Sequence, residues 1–252
     1  MKGYAELLSK LKEISGLGYI KTHRTGDTGI GKTLEDLLGI EENNVPGPDG
    51  ESIELKTARK YARSMLTLFT KSPMPRSANA TILQEFGYTN DEHGARKELH
   101  TTLSATGYNT IKGKIGLRIA IGIDRIELLG GVTPQMLSSQ KGYDTERLDE
   151  KVLGWWQRTT LTKRFESKLP RLLYVKAEAR NRVSEEEFWF NEAWLMQGFA
   201  FQNFISLLNE GKILVDVRIG QYADGKPHDH GTGFRVRTMD LDKCFSSRER
   251  VL

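Results

Sequence analysis

Between residues 4 and 14, Tyr4, Leu7, Leu8, Leu11 and Ile14 recur at spacings of three and four, the stripe of an amphipathic helix. A glycine-rich turn is expected next, and then a second short helix over 33–38 (TLEDLL), ended by Gly39. The run VPGPDG at 45–50 is turn chemistry. From Ser52 to Thr57 the apolar Ile53 and Leu55 alternate with Glu54 and Lys56, the period of a strand. Further strand-like runs lie at 64–70, 99–105, 115–123 and 125–129, with a helix predicted over 78–86. Residues 131–150 turn polar and loop-like, so a division is placed there, giving segments 1–140 and 141–252. Beyond it the pattern predicts a helix at 159–169, a strand at 171–178, an aromatic segment around Phe188, Trp189, Phe190 and Trp194, and a helix near 197–209. Strands at 213–222 and 232–237 flank a loop containing His228, Asp229 and His230. No internal repeat is present, and the mixture predicts an α/β protein: a mixed sheet with flanking helices.

Composition narrows the class without choosing a function. At 252 residues the chain is long enough for one elaborated domain or two packed lobes, and 38% hydrophobic with 28% charged residues is the balance of a globular protein. No apolar run approaches the ~20 residues of a membrane helix. The opening MKGYAELLSKLKEISG spreads charge through what would be the apolar region of a signal peptide, so the expected compartment is the cytoplasm and no membrane partner is expected. A single cysteine, Cys244, excludes an internal disulfide. The net charge of +4 permits a polyanionic partner but does not demand one, because 33 acidic residues nearly balance 37 basic ones.

Two motifs compete for the chemistry. GDTGIGKT, Gly26 to Thr33, fits every fixed position of a phosphate-binding loop. Such a loop needs a buried hydrophobic strand to deliver it, whereas Lys21, Thr22, His23 and Arg24 are polar. A flexible turn lying against a DNA backbone is the plainer reading of Gly26, Gly29 and Gly31. The second motif is Pro48-Asp49, four intervening residues, then Glu54, Leu55 and Lys56. Residues two apart on a strand share a face, so Glu54 and Lys56 project together while Ile53 and Leu55 enter the core. Asp49, on the preceding turn, is within reach of the same side. Neighbouring carboxylates are stabilised by a cation between them, and hard oxygen donors suit Mg²⁺. Phosphodiester hydrolysis needs a water made nucleophilic near neutral pH and an electrophile for the charge developing on the phosphate, roles that Lys56 and a metal can fill. By spacing alone the motif is weak: Glu166-Ser167-Lys168 repeats it on a predicted helix, and a solvated strand face carrying an ordinary ion pair explains Glu54 and Lys56 as well.

The flanking sequence shifts the balance. TGIGKTLEDLLGIEENN (28–44), PD with ELKT, SMLTLFTKSP (64–73), DVRIGQY and HDHGTGFR occur in order over nearly the whole chain. Together they resemble the MvaI/BcnI family of type II restriction endonucleases, relatives of the MutH mismatch-repair nickase. The resemblance implies a restriction-endonuclease-like PD-(D/E)XK core and a second, DNA-recognition lobe, acting as a monomer that clamps double-stranded DNA. It implies Mg²⁺ as cofactor, held at Asp49, Glu54 and Leu55, with Lys56 as the catalytic lysine. Glu35 matches an additional acidic residue from a preceding helix, although a charge favoured by the helix dipole accounts for it nearly as well.

The base readers implied by the resemblance are Asp216, Arg218, His228, Asp229, His230 and Arg235. Arg suits guanine, Asp suits cytosine and His can donate to guanine, a set fitting a short G·C-rich target. The family implies a CC-N-GG site, here with A or T at the centre, and leaves room for a cognate DNA methyltransferase in the host. A zinc site of His228, His230 and Cys244 lacks a fourth ligand, and Arg235 with Arg237 also fits a plain strand surface. Trp155, Trp156, Trp189 and Trp194 are expected in packing, not base stacking. A methyl-directed repair nickase and a P-loop nucleotidase are the alternative functions.

Overall fold

The structure, a computed structural model, describes residues 3–40, 44–46, 52–90, 96–132, 149–169, 171–182 and 185–252. The chain forms two compact units: Met1–Leu66 with Glu166–Ala200 and Thr238–Leu252, and Thr67–Phe165 with Phe201–Arg237. The division expected near residue 140 lies outside the described residues, and each unit draws on segments from both sides of it.

In the first unit a mixed sheet runs in the order Ile20–Lys21, Glu185–Gln197, Arg171–Arg182, Ser52–Arg59, Asn44–Pro46, with Ser247–Arg250 paired to Glu185–Gln197. Ser52–Arg59 and Arg171–Arg182 are parallel; the other pairs of this sheet are antiparallel. Two amphipathic helices, Tyr4–Gly16 and Gly29–Leu38, cover one face. Leu7, Leu11, Ile30, Leu34 and Leu38 pack there against Ile53, Leu55, Leu173, Val175, Phe188 and Phe190. Period-2 alternation on the strands and the helical stripe thus meet in one core, as each pattern requires.

The helix expected at 33–38 starts earlier, at Gly29, so Gly29 and Gly31 are helical and not part of a flexible turn. Gly29 is needed because a Cβ there would lie 2.2 Å from the Arg24 carbonyl oxygen. The aromatic segment is a 13-residue strand, Glu185–Gln197, whose inward positions are Phe188, Phe190, Ala193 and Leu195.

The second unit contains one sheet in the order Leu66–Thr70, Gly233–Val236, Ile213–Gln221, Arg96–Leu103, Tyr88–Asn90, with Pro227–Asp229 paired to Ile213–Gln221. A three-stranded antiparallel sheet joins Leu117–Ile121, Arg125–Val132 and Asp149–Gln157. The first two residues of the last strand and residues 131–132 fall in the stretch expected to be loop, and the rest of that strand, 151–157, was not anticipated; residues 133–148 lie outside the described residues. Helices Ala78–Phe86, Arg158–Glu166 and Phe201–Asn209 complete the unit. Its core is aromatic, with Phe69 stacked on Phe234 at 4.8 Å and Trp156 edge-on to Phe234 at 5.5 Å. Trp156 is buried as expected and donates its indole N–H to the Lys71 carbonyl. Trp155, Trp189 and Trp194 are only half-buried. Among the described residues no helix is long and apolar enough to cross a membrane.

Leu34 is fully buried where the Gly29–Leu38 helix meets the sheet. Leu34→Ala is expected to cost about 2–5 kcal/mol through lost transfer energy and an unfilled cavity. Urea unfolding checks this, and an unchanged midpoint would contradict the packing.

Candidate active site and base-reading surface

The Ser52–Arg59 strand is flanked by hydrogen-bonded neighbours on both sides, Asn44–Pro46 and Arg171–Arg182, which fixes its register. Leu55 turns its side chain into the apolar core, leaving its main-chain carbonyl as the only donor it can offer a metal. Glu54 and Lys56 face the other way and meet: Lys56 Nζ is 2.9 Å from Glu54 Oε1. The Glu54 side chain is only 3% exposed, so this is not the solvated strand face that spacing alone allowed. Its second oxygen, Oε2, accepts from Lys168 Nζ at 3.1 Å. A buried carboxylate must be compensated by charge and hydrogen bonds, and here two ammonium groups do so.

Glu35, on the Gly29–Leu38 helix, lies in the same field. Burial raises its carboxyl above the usual range, Lys32 and Lys56 oppose that rise, and Asp36 and Glu54 reinforce it. Asp49 lies outside the described residues. Among the described residues no group of three His, Cys, Asp or Glu side chains is arranged to hold a metal. Glu54 nevertheless offers the hard oxygen donor that a divalent cation prefers, with the carboxylate of Glu35 in the same field and the two ammonium groups opposing a further positive charge.

The phosphate-loop motif is committed to other work. Thr33 is fully buried; its hydroxyl donates to the Gly29 carbonyl at 2.8 Å and accepts from the His23 main-chain N–H at 2.9 Å. Lys32 pairs with Asp36 one helical turn on, at 2.7 Å. The two side chains that a nucleotide would need therefore tie the helix start together. The strand before the motif is only Ile20–Lys21, at the edge of the sheet and antiparallel to its neighbour. That arrangement removes the nucleotidase reading.

In the second unit, cross-strand register gathers most of the expected base readers on one face. Asp216 sits opposite Thr102 and Gly233, Arg218 opposite His100, Arg235 opposite Leu214, and His228 opposite Gly220. Paired residues share a face, as do residues two apart, so Asp216, Arg218, Arg235 and His228 stand together. Asp216 is buried and joins the two arginines: Arg218 Nε at 2.7 Å and Arg235 Nη2 at 3.0 Å, with the Thr102 hydroxyl donating at 3.1 Å. His228 and His230 meet edge to face at 4.3 Å, and His100 lies 6.3 Å from His230. Gly220 makes room for them, because a Cβ there would lie 2.8 Å from His230 Nε2. An open cleft of about 690 Å³ is lined here by His100, Gln221, Tyr222, His228 and His230. Burial lowers the His230 pKa below the ordinary histidine value, with His228 and His100 adding to the effect.

Asp229 is turned away from this face. It accepts from the Ser72 hydroxyl at 2.5 Å, the Asn79 amide at 2.8 Å and the Gly231 main-chain N–H at 2.7 Å. Its carboxylate anchors the turn that carries the two histidines. Cys244 is buried, its thiol pushed up to about 12 by desolvation and directed at the Asp240 carbonyl, which is not the state of a zinc ligand. Lys168, His100, Thr102, Ser72 and Asn79 were not anticipated as parts of either site. For Lys168 the available signal was the second Glu-x-Lys spacing.

Removing the Asp216 carboxylate leaves two guanidinium groups without their buried partner. Asp216→Ala is expected to lower stability by about 3–5 kcal/mol, with Asp216→Asn less damaging because it keeps an acceptor. Chemical unfolding checks this; equal stability of Asp216→Ala and wild type would mean the arginines do not depend on it.

Comparison with known proteins bears on the chain as a whole. No protein with a curated description matches the chain. Among solved structures it is similar to the restriction endonuclease MvaI in complex with cognate DNA substrate, at 29% identity and a TM-score of 0.81 over 100% of both chains. It is also similar to MvaI in the absence of DNA, at 30% identity and a TM-score of 0.56, over 100% of this chain and 99% of that one. A family model describing the MvaI/BcnI restriction endonuclease family matches residues 8–245. With that match across nearly its whole length, the chain belongs to the MvaI/BcnI restriction endonuclease family.

Proposed function

We propose that this chain is a Mg²⁺-dependent type II endonuclease that cuts double-stranded DNA at a short G·C-rich site, of CC-N-GG form with A or T at the centre. The observation that carries the cleavage reading is Glu54: a carboxylate 3% exposed on a sheet strand, bonded to Lys56 at 2.9 Å, in a chain of this family. An ionised group buried in this way needs compensating charge, which Lys56 and Lys168 supply, and carboxylates held like this cluster at functional sites.

In this reading Asp49 and Glu54 hold the cation, with the Leu55 carbonyl as a third donor. Bound Mg²⁺ supplies Lewis-acid polarisation of the scissile phosphate and lowers the pKa of water. Lys56, fixed by Glu54, orients the attacking water with an N–H donor. Glu35 adds negative charge beside the pair, which favours cation uptake. Arg218 and Arg235 read guanine edges, each contributing about 1–3 kcal/mol of discrimination, and Asp216 holds the two guanidinium groups in register. His228 and His230 add further donors, while Asp229 serves as their anchor. The enzyme works as a monomer in the cytoplasm, with a cognate methyltransferase protecting host sites.

A monomer has one cleavage site for two antiparallel strands, so it must cut them in turn. Nicked plasmid is expected to accumulate before linear product in Mg²⁺, and Asp49→Ala and Lys56→Ala are expected to abolish both products while keeping target binding in Ca²⁺. A time course of supercoiled, nicked and linear DNA, with binding assays on the variants, checks this. Cleavage by Asp49→Ala at the wild-type rate would remove the proposed site, and linear product without a nicked intermediate would remove the monomer.

A further inference from the structure

The cleavage reading uses Lys56 and leaves Lys168 without a role. Lys168 lies between the Arg158–Glu166 helix and the Arg171–Arg182 strand, four residues before Leu172, the register partner of Glu54. That placement brings a residue 114 positions away in sequence onto the second oxygen of the site carboxylate. The two lysine side chains are 21% and 23% exposed, and the carboxylate between them is 3% exposed. One buried carboxylate thus carries two ammonium groups, one on each oxygen. A structural ion pair needs only one.

We propose that Lys168 is a positioning residue that serves as the built-in counter-ion of Glu54, occupying Oε2 until a divalent cation displaces it; this rests on the reading of Glu54 as a metal-binding carboxylate. Two groups that compete for one oxygen lower each other's affinity by the same factor. A cation at Glu54 therefore loosens Lys168, and loss of Lys168 strengthens cation binding. Lys56 is not in this competition, since it holds the other oxygen. The arrangement keeps Glu54 ionised and oriented before the cation arrives, and releases an ammonium group as it does, in a site that also receives a polyanion.

The test is direct titration of Mn²⁺ into the DNA-free protein, followed by calorimetry or by the spin-resonance signal of free Mn²⁺, beside thermal unfolding with and without the ion. Lys168→Met is expected to bind Mn²⁺ at least about fivefold more tightly than wild type and to gain a larger thermal shift from it, although its melting temperature without the ion is lower. Lys168→Arg keeps the charge and is expected to stay within about twofold of wild type. Glu54→Gln is expected to lose this binding in every background. A Lys168→Met midpoint equal to or weaker than wild type, in a protein whose Mn²⁺ uptake still depends on Glu54 and which still cuts DNA, overturns the counter-ion role and leaves the nuclease reading standing. Wild-type protein without Glu54-dependent Mn²⁺ uptake and without cleavage overturns both.

Discussion

Everything specific about this molecule turns on the burial of one carboxylate. Glu54 is on a strand hydrogen-bonded on both sides, with its neighbours Ile53 and Leu55 in the apolar core, so it has no freedom to swing into solvent. An ionised group in that position is tolerated only with compensating charge. Lys56 supplies it from two residues along the strand, and Lys168 from the segment that leads into the parallel neighbour. The Gly29–Leu38 helix brings Glu35 into the same field, packed in place by Ile30, Leu34 and Leu38. The phosphate-loop motif is part of that device: its glycine permits close approach to Arg24, and its threonine and lysine stitch the helix start.

The second unit repeats the logic with the same signs. Asp216 is the buried acid, and Arg218 and Arg235 are the cations it holds on one face of a sheet. A guanidinium pinned in this way loses little rotamer freedom when it engages a partner, which suits the base-reading role proposed for both arginines. The histidine pair is built likewise. Asp229 fixes the turn from behind through Ser72, Asn79 and the Gly231 N–H, and Gly220 leaves the space that His230 fills.

Much of the fold was legible where periodicity and packing agree. The stripe of Leu7, Leu11 and Ile14 and the alternation over Ser52–Thr57 appear as a helix and a strand because both bury their apolar faces in one core. Local pattern failed where tertiary pairing decides. Asp149–Gln157 begins polar and becomes a strand because Arg125–Val132 offers it a partner. The glycines at 29 and 31 resemble a loop but are helical, and at Gly29 it is the close approach of the Arg24 backbone that demands glycine. At the site, Glu54 and Lys56 were readable because they are two apart on one strand. Lys168 was hidden: the helix expected to run to residue 169 ends at Glu166, and its lysine is then free to reach a carboxylate 114 residues away. The family match confirms the resemblance carried by the ordered motifs across residues 8–245.

The account stands on Glu54 being the carboxylate that gathers a divalent cation. The most direct measurement is anomalous scattering from crystals of the protein grown with Mn²⁺. The account predicts a Mn²⁺ peak about 2.0–2.6 Å from a Glu54 carboxylate oxygen, with Lys168 withdrawn from Oε2. Glu54 still bonded to both Lys56 and Lys168, with Mn²⁺ bound only elsewhere, would contradict it.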